Sequence, residues 1–195
     1  QGANPHVSGR DITALFALAD EQVQSIPGTP IHRSPAWFVV DDGKKTLEPL
    51  NQHGNELRAL ISYVVADRIF IEDITQRLLA IGKTAAGFFS TPMGEAMLFI
   101  SETDRDRTAL LIDMGYLNTD VMAVEGDAII FYKNIPLGGG HIAADLAYGL
   151  EIPLDSAEQL KRSFEFDPGS TKTSFDVTLS NGSTQTFTRD KVAEI

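Results

Sequence analysis

The sequence predicts an α/β protein, and three patterns support that prediction. Segments with apolar residues at helical spacing alternate with short runs rich in β-branched and aromatic residues, which favour strands. The run 108–113 is almost continuously apolar, as is typical of a strand covered on both faces. The Asn181-Gly182 pair separates two strand-like runs and indicates a hairpin.

The first hundred residues predict a helix, two strands, a helix, a short strand and a helix, in that order. Ser8 and Asp11 have the spacing of a helix start, and apolar residues then recur at helical spacing to about residue 25. The remaining elements are predicted as strands at 31–40, 57–65 and 84–89 and as helices at 68–81 and 92–100.

The segment 101–107 contains no apolar residue and predicts a solvated linker at a domain boundary. After it we expect a strand at 108–113, a hairpin at 121–124 and 128–132, helices at 142–150 and 157–164, a hairpin at 175–179 and 184–187, and the start of a helix at 190–195. A helix that short buries too little to stay ordered, so we expect the chain to be part of a longer protein. Gln1 and Gly2 are expected to be residues of an expression tag.

Composition excludes several functional classes. The formal net charge of -11 repels phosphate backbones, so nucleic acid is not an expected partner. The chain has no cysteine, which excludes disulfides, zinc-thiolate sites and thiol nucleophiles and favours the cytoplasm. Its four histidines are too scattered for a metal site and are predicted to be surface or loop residues.

Small polar residues follow the apolar strand at 108–113. Asp113 ends that strand, and a carboxylate in this place can orient water on a magnesium ion beside a phosphate. Gly115, Asn118 and Thr119 then form a polar turn, and Gly138-Gly139-Gly140 precedes a predicted helix. The alternative is a plain turn with a capping aspartate, followed by a flexible glycine connector.

The order of these motifs resembles the FtsA family of bacterial cell-division proteins, which are actin-like ATPases. The family has an L-I-D-I-G-G-G-T-T-D loop, a G-G-D-H-x-T-x-D-I-A helix start and an A-E-x-x-K helix. The corresponding segments here are 109–121, 138–147 and 157–161. Segments 31–35 and 80–82 also agree, and the resemblance covers about residues 9–164.

The resemblance implies two domains. Residues 9–100 would be the family's inserted strand-helix-strand-strand subdomain with a connecting helix. Residues 107–195 would be part of an actin-like, ribonuclease H-like lobe that is truncated at its C-terminus.

The resemblance also implies an ATP and magnesium site in the full-length family, with no catalytic residue assigned in this chain. Asp113 would lie beside the metal and the phosphates, and Glu158 and Lys161 would approach the ribose. The second phosphate loop would contain Gly115, Asn118 and Thr119, and the cleft would be flanked by Gly138 and Gly139.

Several residues of this loop depart from the family pattern. Tyr116 and Leu117 replace two glycines, Asn118 and Ala143 each replace a threonine, and Gly140 replaces an acid. If either former glycine position needs positive φ, a bulky residue there costs about 1–3 kcal/mol. Two expectations therefore remain open: a loop that binds nucleotide, and a structural turn. The fragment alone is not expected to bind ATP, because it holds half of a cleft.

By resemblance, the function would be that of a cytoplasmic adaptor at the inner face of the cell membrane. It would link FtsZ filaments to the membrane, contact other division proteins and self-associate. Membrane attachment would use segments outside this chain, and the main FtsZ-binding surface would belong to the lobe that begins near its end. The alternatives are an actin-fold ATPase of the pilus-assembly or shape-determining type, and a scaffold without nucleotide.

Overall fold

The computed structural model describes residues 5–167, 170–179 and 181–195, so the predicted tag residues lie outside it. Helices are α1 (Gly9–Val23), α2 (Arg68–Ala80), α3 (Thr91–Phe99), α4 (Gly139–Leu150), α5 (Leu154–Ser163) and α6 (Arg189–Ala193). Strands are β1 (Thr29–Val40), β2 (Leu57–Ala66), β3 (Ala109–Met114), β4 (Thr119–Glu125), β5 (Ala128–Ile135), β6 (Ser174–Thr178) and β7 (Thr184–Thr188). The predicted mixture of helices and strands is confirmed.

Two compact units share these elements. The first contains residues up to 111 together with 121–133, and the second contains 112–120 together with 134–195. The sheet β3-β4-β5 contributes segments to both units. This division differs from a boundary at 101–107, because most of β4 and most of β5 belong to the first unit. The assignment of 9–100 and 107–195 as two domains stays a prediction.

The first unit is built on the antiparallel pair β1-β2, in which Ser34 lies opposite Ser62. Its register shifts after Pro30 and after Pro35, since proline has no N–H to donate to the ladder. Residues 5–7 precede α1 and form an isolated antiparallel bridge with 51–54.

Asp20 fastens α1 to this sheet. Its carboxylate accepts a 2.6 Å hydrogen bond from the Tyr63 hydroxyl and a 2.5 Å bond from the Arg33 guanidinium. The Phe16 ring meets the Phe38 ring edge-on, with centroids 6.1 Å apart. Both donors stabilise the charged form of Asp20, and the pKa of its carboxyl is lowered, first by Tyr63 and then by Arg33.

The turn between β4 and β5 lies against β1. Gly126 has φ +58, and a Cβ there would lie 2.1 Å from the Ala36 carbonyl oxygen. The Gly126 N–H donates to the Arg105 carbonyl at 2.8 Å, and the Asp127 N–H donates to the Pro35 carbonyl at 3.2 Å. Position 126 in this turn therefore has no room for a side chain.

The prediction of a solvated linker at 101–107 is wrong at Arg105. This side chain is only 9% exposed and forms a 2.7 Å ion pair with Asp127. A short 3-10 helix, Glu102–Asp104, precedes it. The charged sequence gave no sign of this burial, because the partner carboxylate lies 22 residues further along the chain.

Two strand predictions also need correction. Residues 84–89 form no strand, since none of the described strands pairs with them, and Phe89 is 89% exposed. β3 is a strand as predicted, but it is not covered on both faces, because Leu110 is 65% exposed. On the other face, α3 packs against β4 through Ala96, Met122 and Val124.

The second unit packs α4, α5 and α6 against the hairpin β6-β7. Phe175 lies opposite Phe187, and both are buried in its core, so the predicted hairpin is confirmed. The remaining buried residues of this core are Leu146, Leu150, Ile152, Ala157, Leu160, Val177 and Val192. α4 begins at Gly139 rather than at the predicted residue 142.

We expect Gly126→Ala to destabilise the protein by about 2 kcal/mol or more, because it adds a clash with Ala36 to the cost of a left-handed backbone. Gly82→Ala is the matched control: Gly82 has φ +70 with open space around it, so only the backbone cost of about 1 kcal/mol should appear. Chemical denaturation measures both. Equal losses would contradict the close approach to β1.

Stability should fall at acid pH in a way that depends on Asp20. A carboxyl whose pKa is lower in the folded state stabilises above its unfolded pKa of about 3.9, and this contribution is lost as the pH falls through the folded pKa. Asp20→Asn should therefore show a shallower loss of stability below about pH 4. Chemical denaturation at steps of about half a pH unit between about pH 2.5 and 6 gives the slope of the unfolding free energy against pH. Equal slopes for the two proteins would refute this prediction.

Candidate functional site

The connection between β3 and β4 is the predicted phosphate loop, residues 115–118. The Gly115 N–H donates to the Asn118 carbonyl at 2.9 Å, which closes the turn. Neither Tyr116 nor Leu117 has a positive φ. The strain considered for large residues at these two positions therefore does not arise, since both adopt backbone conformations open to any residue.

The first turn of α4 is hydrogen-bonded to main-chain carbonyl groups of this loop. The Gly139 N–H donates to the Gly115 carbonyl at 2.9 Å, and the Gly140 N–H donates to the Tyr116 carbonyl at 2.7 Å. These bonds satisfy two amides that a helix N-terminus otherwise leaves unpaired. They also bring two sets of predicted site residues together.

The three consecutive glycines allow this approach. A Cβ on Gly138 would lie 2.5 Å from the Gly115 carbonyl oxygen, and a Cβ on Gly140 would lie 2.7 Å from Cε1 of Tyr116. Neither contact is possible for a real side chain without movement of the loop. The alternative of a flexible glycine connector is therefore wrong, because close packing requires glycine at two of its three positions.

The amide side of the loop is open. Within residues 5–167, 170–179 and 181–195, the main-chain N–H groups of Tyr116, Leu117 and Asn118 have no acceptor. All three residues are exposed. Successive unpaired N–H groups in a turn are suited to bind an anion such as phosphate.

Asp113 and Thr119 flank the loop. The Asp113 side chain is exposed and makes no hydrogen bond or ion pair in the described part of the chain. The Thr119 hydroxyl donates to the Leu137 carbonyl at 2.7 Å, which fixes the approach to Gly138. The described residues contain no group of three metal-ligating side chains, and a magnesium ion at Asp113 would need the phosphates as further ligands.

Glu158 and Lys161 form an ion pair on α5. The Lys161 ammonium lies 2.6 Å from the Glu158 carboxylate, donates to the Gly139 carbonyl at 2.8 Å, and lies 5.4 Å from the centroid of the Tyr116 ring. Arg162 adds a second bond to Glu158 at 2.7 Å. Both cations lower the pKa of the Glu158 carboxyl, Lys161 more than Arg162.

Sequence reasoning missed His141 and Arg162. His141 was predicted to be a surface or loop residue; its side chain is exposed, as predicted, and it lies in α4, where its Nδ1 accepts a 3.1 Å hydrogen bond from the Gly138 N–H. It occupies the place that Glu or Gln takes in a capping box. That spacing was the available signal, and glycine at the N-cap concealed it.

Comparison with known proteins gives a family match over this part of the chain. The family model described as "Cell division protein FtsA" matches residues 110–189, a range that includes every predicted site residue. FtsA of Bacillus subtilis (strain 168) is 23% identical over 198 residues, covering 98% of this chain and 44% of that protein. Over the matched residues this chain is similar to FtsA proteins.

A second relative has similar coverage. FtsA of Agrobacterium fabrum is 23% identical over 155 residues, which is 80% of this chain and 35% of the relative. The chain therefore spans less than half the length of the FtsA proteins it matches.

A solved structure supports the fold. The ADP-bound MreB5 of Spiroplasma citri superimposes with a TM-score of 0.52 at 15% identity, over 66% of this chain and 43% of MreB5. The predicted actin-like fold class is thereby confirmed. Among the helices of the described residues, none combines the length and apolar character needed to cross a bilayer.

The Glu158 carboxyl gives a direct test of this ion-pair network. We expect Lys161→Met to raise its pKa towards the ordinary value, because the strongest donor is lost. Arg162→Met is the matched control and should raise the pKa less. Titration of the side-chain carboxyl by NMR measures both shifts. A larger shift in Arg162→Met would contradict the contacts described for Lys161.

Proposed function

We propose that this chain is part of a cell-division adaptor that links FtsZ filaments to the membrane. The observation that carries this proposal is the family match over 110–189, which spans the loop, the first turn of α4 and the α5 ion pair. These are the elements whose packing makes the site. The loop N–H groups without an acceptor in the described residues, and the close approach of the glycines, are consistent with the family's second phosphate loop.

We further propose that the adaptor works at the cytoplasmic face of the membrane and contacts itself and other division proteins. Membrane attachment would use parts of the longer protein outside this chain. The relatives are more than twice as long as the part this chain covers, which leaves room for such segments. No nucleic-acid role is proposed, since the net charge of -11 opposes it.

Mg·ATP is the proposed ligand of the complete protein. The N–H groups of residues 116–118 would bind phosphate oxygens, and Asp113 would orient water on the metal. Backbone strain at Tyr116 and Leu117 does not oppose this role, because neither residue has a positive φ. The chain by itself supplies one side of the cleft and is not expected to bind nucleotide tightly.

FtsZ capture tests the proposed adaptor function. We expect the complete natural protein, immobilised on beads, to retain FtsZ of the same organism, and this 195-residue chain to retain at least about fivefold less, a difference of roughly 1 kcal/mol. The reason is that the main FtsZ-binding surface is proposed to lie beyond this part. Quantitative pull-down at several FtsZ concentrations gives both affinities.

Eukaryotic tubulin is the control polymer, because it shares the tubulin-like fold without a role in bacterial division. Equal retention of tubulin and FtsZ would show non-specific capture. Failure of the complete protein to retain FtsZ would overturn the adaptor proposal, whereas equal capture by the short chain would overturn only the proposed place of the surface.

A further inference from the structure

Two departures from the family pattern meet in space. Tyr116 replaces a glycine of the family's loop, and Gly140 replaces an acid of its helix start. A Cβ on Gly140 would lie 2.7 Å from Cε1, 2.8 Å from Cζ and 2.9 Å from the carbonyl oxygen of Tyr116. The ring and main chain of Tyr116 thus occupy the space that any side chain at residue 140 would require.

Two contacts fix Tyr116, one to its main chain and one to its ring. On one side the Gly140 N–H donates to the Tyr116 carbonyl at 2.7 Å, which fixes the backbone next to the ring. On the other side the Lys161 ammonium lies 5.4 Å from the ring centroid, within the range of a cation–π contact. Lys161 is itself fixed by its bonds to Glu158 and to the Gly139 carbonyl.

We propose that Tyr116 is a positioning residue that locks the loop 115–118 against α4 through an interlock with Gly140. In the family pattern, glycine at the first position leaves room for an acid at the second. Here the large and small residues have exchanged places, so the ring fills the space of the acid. A tyrosine also has fewer backbone conformations to lose than a glycine, which favours an ordered loop.

The interlock acts on the loop amides through the Tyr116 ring, whereas the proposed ligand would meet the main-chain N–H groups of residues 116–118. Its contacts are with the loop carbonyls, α4 and α5, while the N–H groups of residues 116–118 have no acceptor among the described residues. A loop held in this shape binds an anion without first having to be ordered. This consequence rests on the proposed nucleotide function, whereas the interlock itself does not.

A double-mutant cycle tests the interlock without any ligand. In the 195-residue chain, Gly140→Asp should lower the melting temperature by about 4 °C or more when Tyr116 is present, and by about half as much in the Tyr116→Gly background, where only the 2.9 Å approach to the main-chain carbonyl oxygen of residue 116 remains. Equal losses in the two backgrounds would overturn the proposal. If Gly140→Asp does not fold alone, Gly140→Ala provides the same comparison with a smaller side chain.

Gly9→Asp is the matched control for the helix position. Gly9 is in the first turn of α1, and a Cβ there would meet nothing within 4 Å. Aspartate is favoured near a helix N-terminus, so this variant should melt at or above the temperature of the unmodified chain. A loss as large as that of Gly140→Asp would assign the effect to the aspartate and overturn the interlock.

Mg·ATP titration of the complete protein tests the positioning role. Tyr116→Phe keeps the ring and should bind within about twofold of the natural protein, while Tyr116→Gly should bind about tenfold more weakly. Hydrogen exchange of the Gly139 and Gly140 amides should be faster in Tyr116→Gly than in the natural protein, and unchanged in Tyr116→Phe. Equal or tighter binding by Tyr116→Gly, or unchanged exchange, would overturn the positioning role.

The two experiments separate the proposals. Absence of Mg·ATP binding in every variant and in the natural protein would overturn the proposed nucleotide ligand. The interlock proposal would then be tested by the melting temperatures and by amide exchange, since neither measurement needs a nucleotide.

Discussion

The candidate site depends on how closely the first turn of α4 approaches the loop 115–118. Two main-chain hydrogen bonds, from Gly139 and Gly140, join the helix to the loop carbonyls. Such bonds require the two backbones to meet with no side chain between them, and Gly138 and Gly140 meet this requirement. The position of Lys161, which donates to Gly139, follows from the same approach.

Local patterns predicted the elements whose partners are near in sequence. The Asn181-Gly182 pair gave the hairpin β6-β7, because a turn and two adjacent strands contain all the information needed. The segment 84–89 was predicted wrongly, since a strand also needs a pairing edge that local sequence does not describe. Arg105 illustrates the same limit for charge: its burial depends on Asp127, which no local pattern connects to it.

For the site, the resemblance supplied the positions and the structure supplied their relations. Gly115, Gly139, Glu158 and Lys161 are joined by hydrogen bonds that sequence spacing could not give. The side chain of Asp113 stands outside this network in the described residues. The proposed roles of all these residues depend on the resemblance, and the structure adds that the joined residues form one hydrogen-bonded network that does not include Asp113.

A glycine in a motif can serve backbone conformation or space, and the two roles have different consequences for substitution. Where a positive φ is needed, as at Gly126, a side chain is costly whatever surrounds it. Where only space is needed, a second substitution can provide it. Residue 116 belongs to the second class, because Tyr116 has no positive φ and its ring fits against Gly140. Loss of a family glycine is therefore not by itself a sign of a strained loop, because a neighbouring residue can change its volume in return.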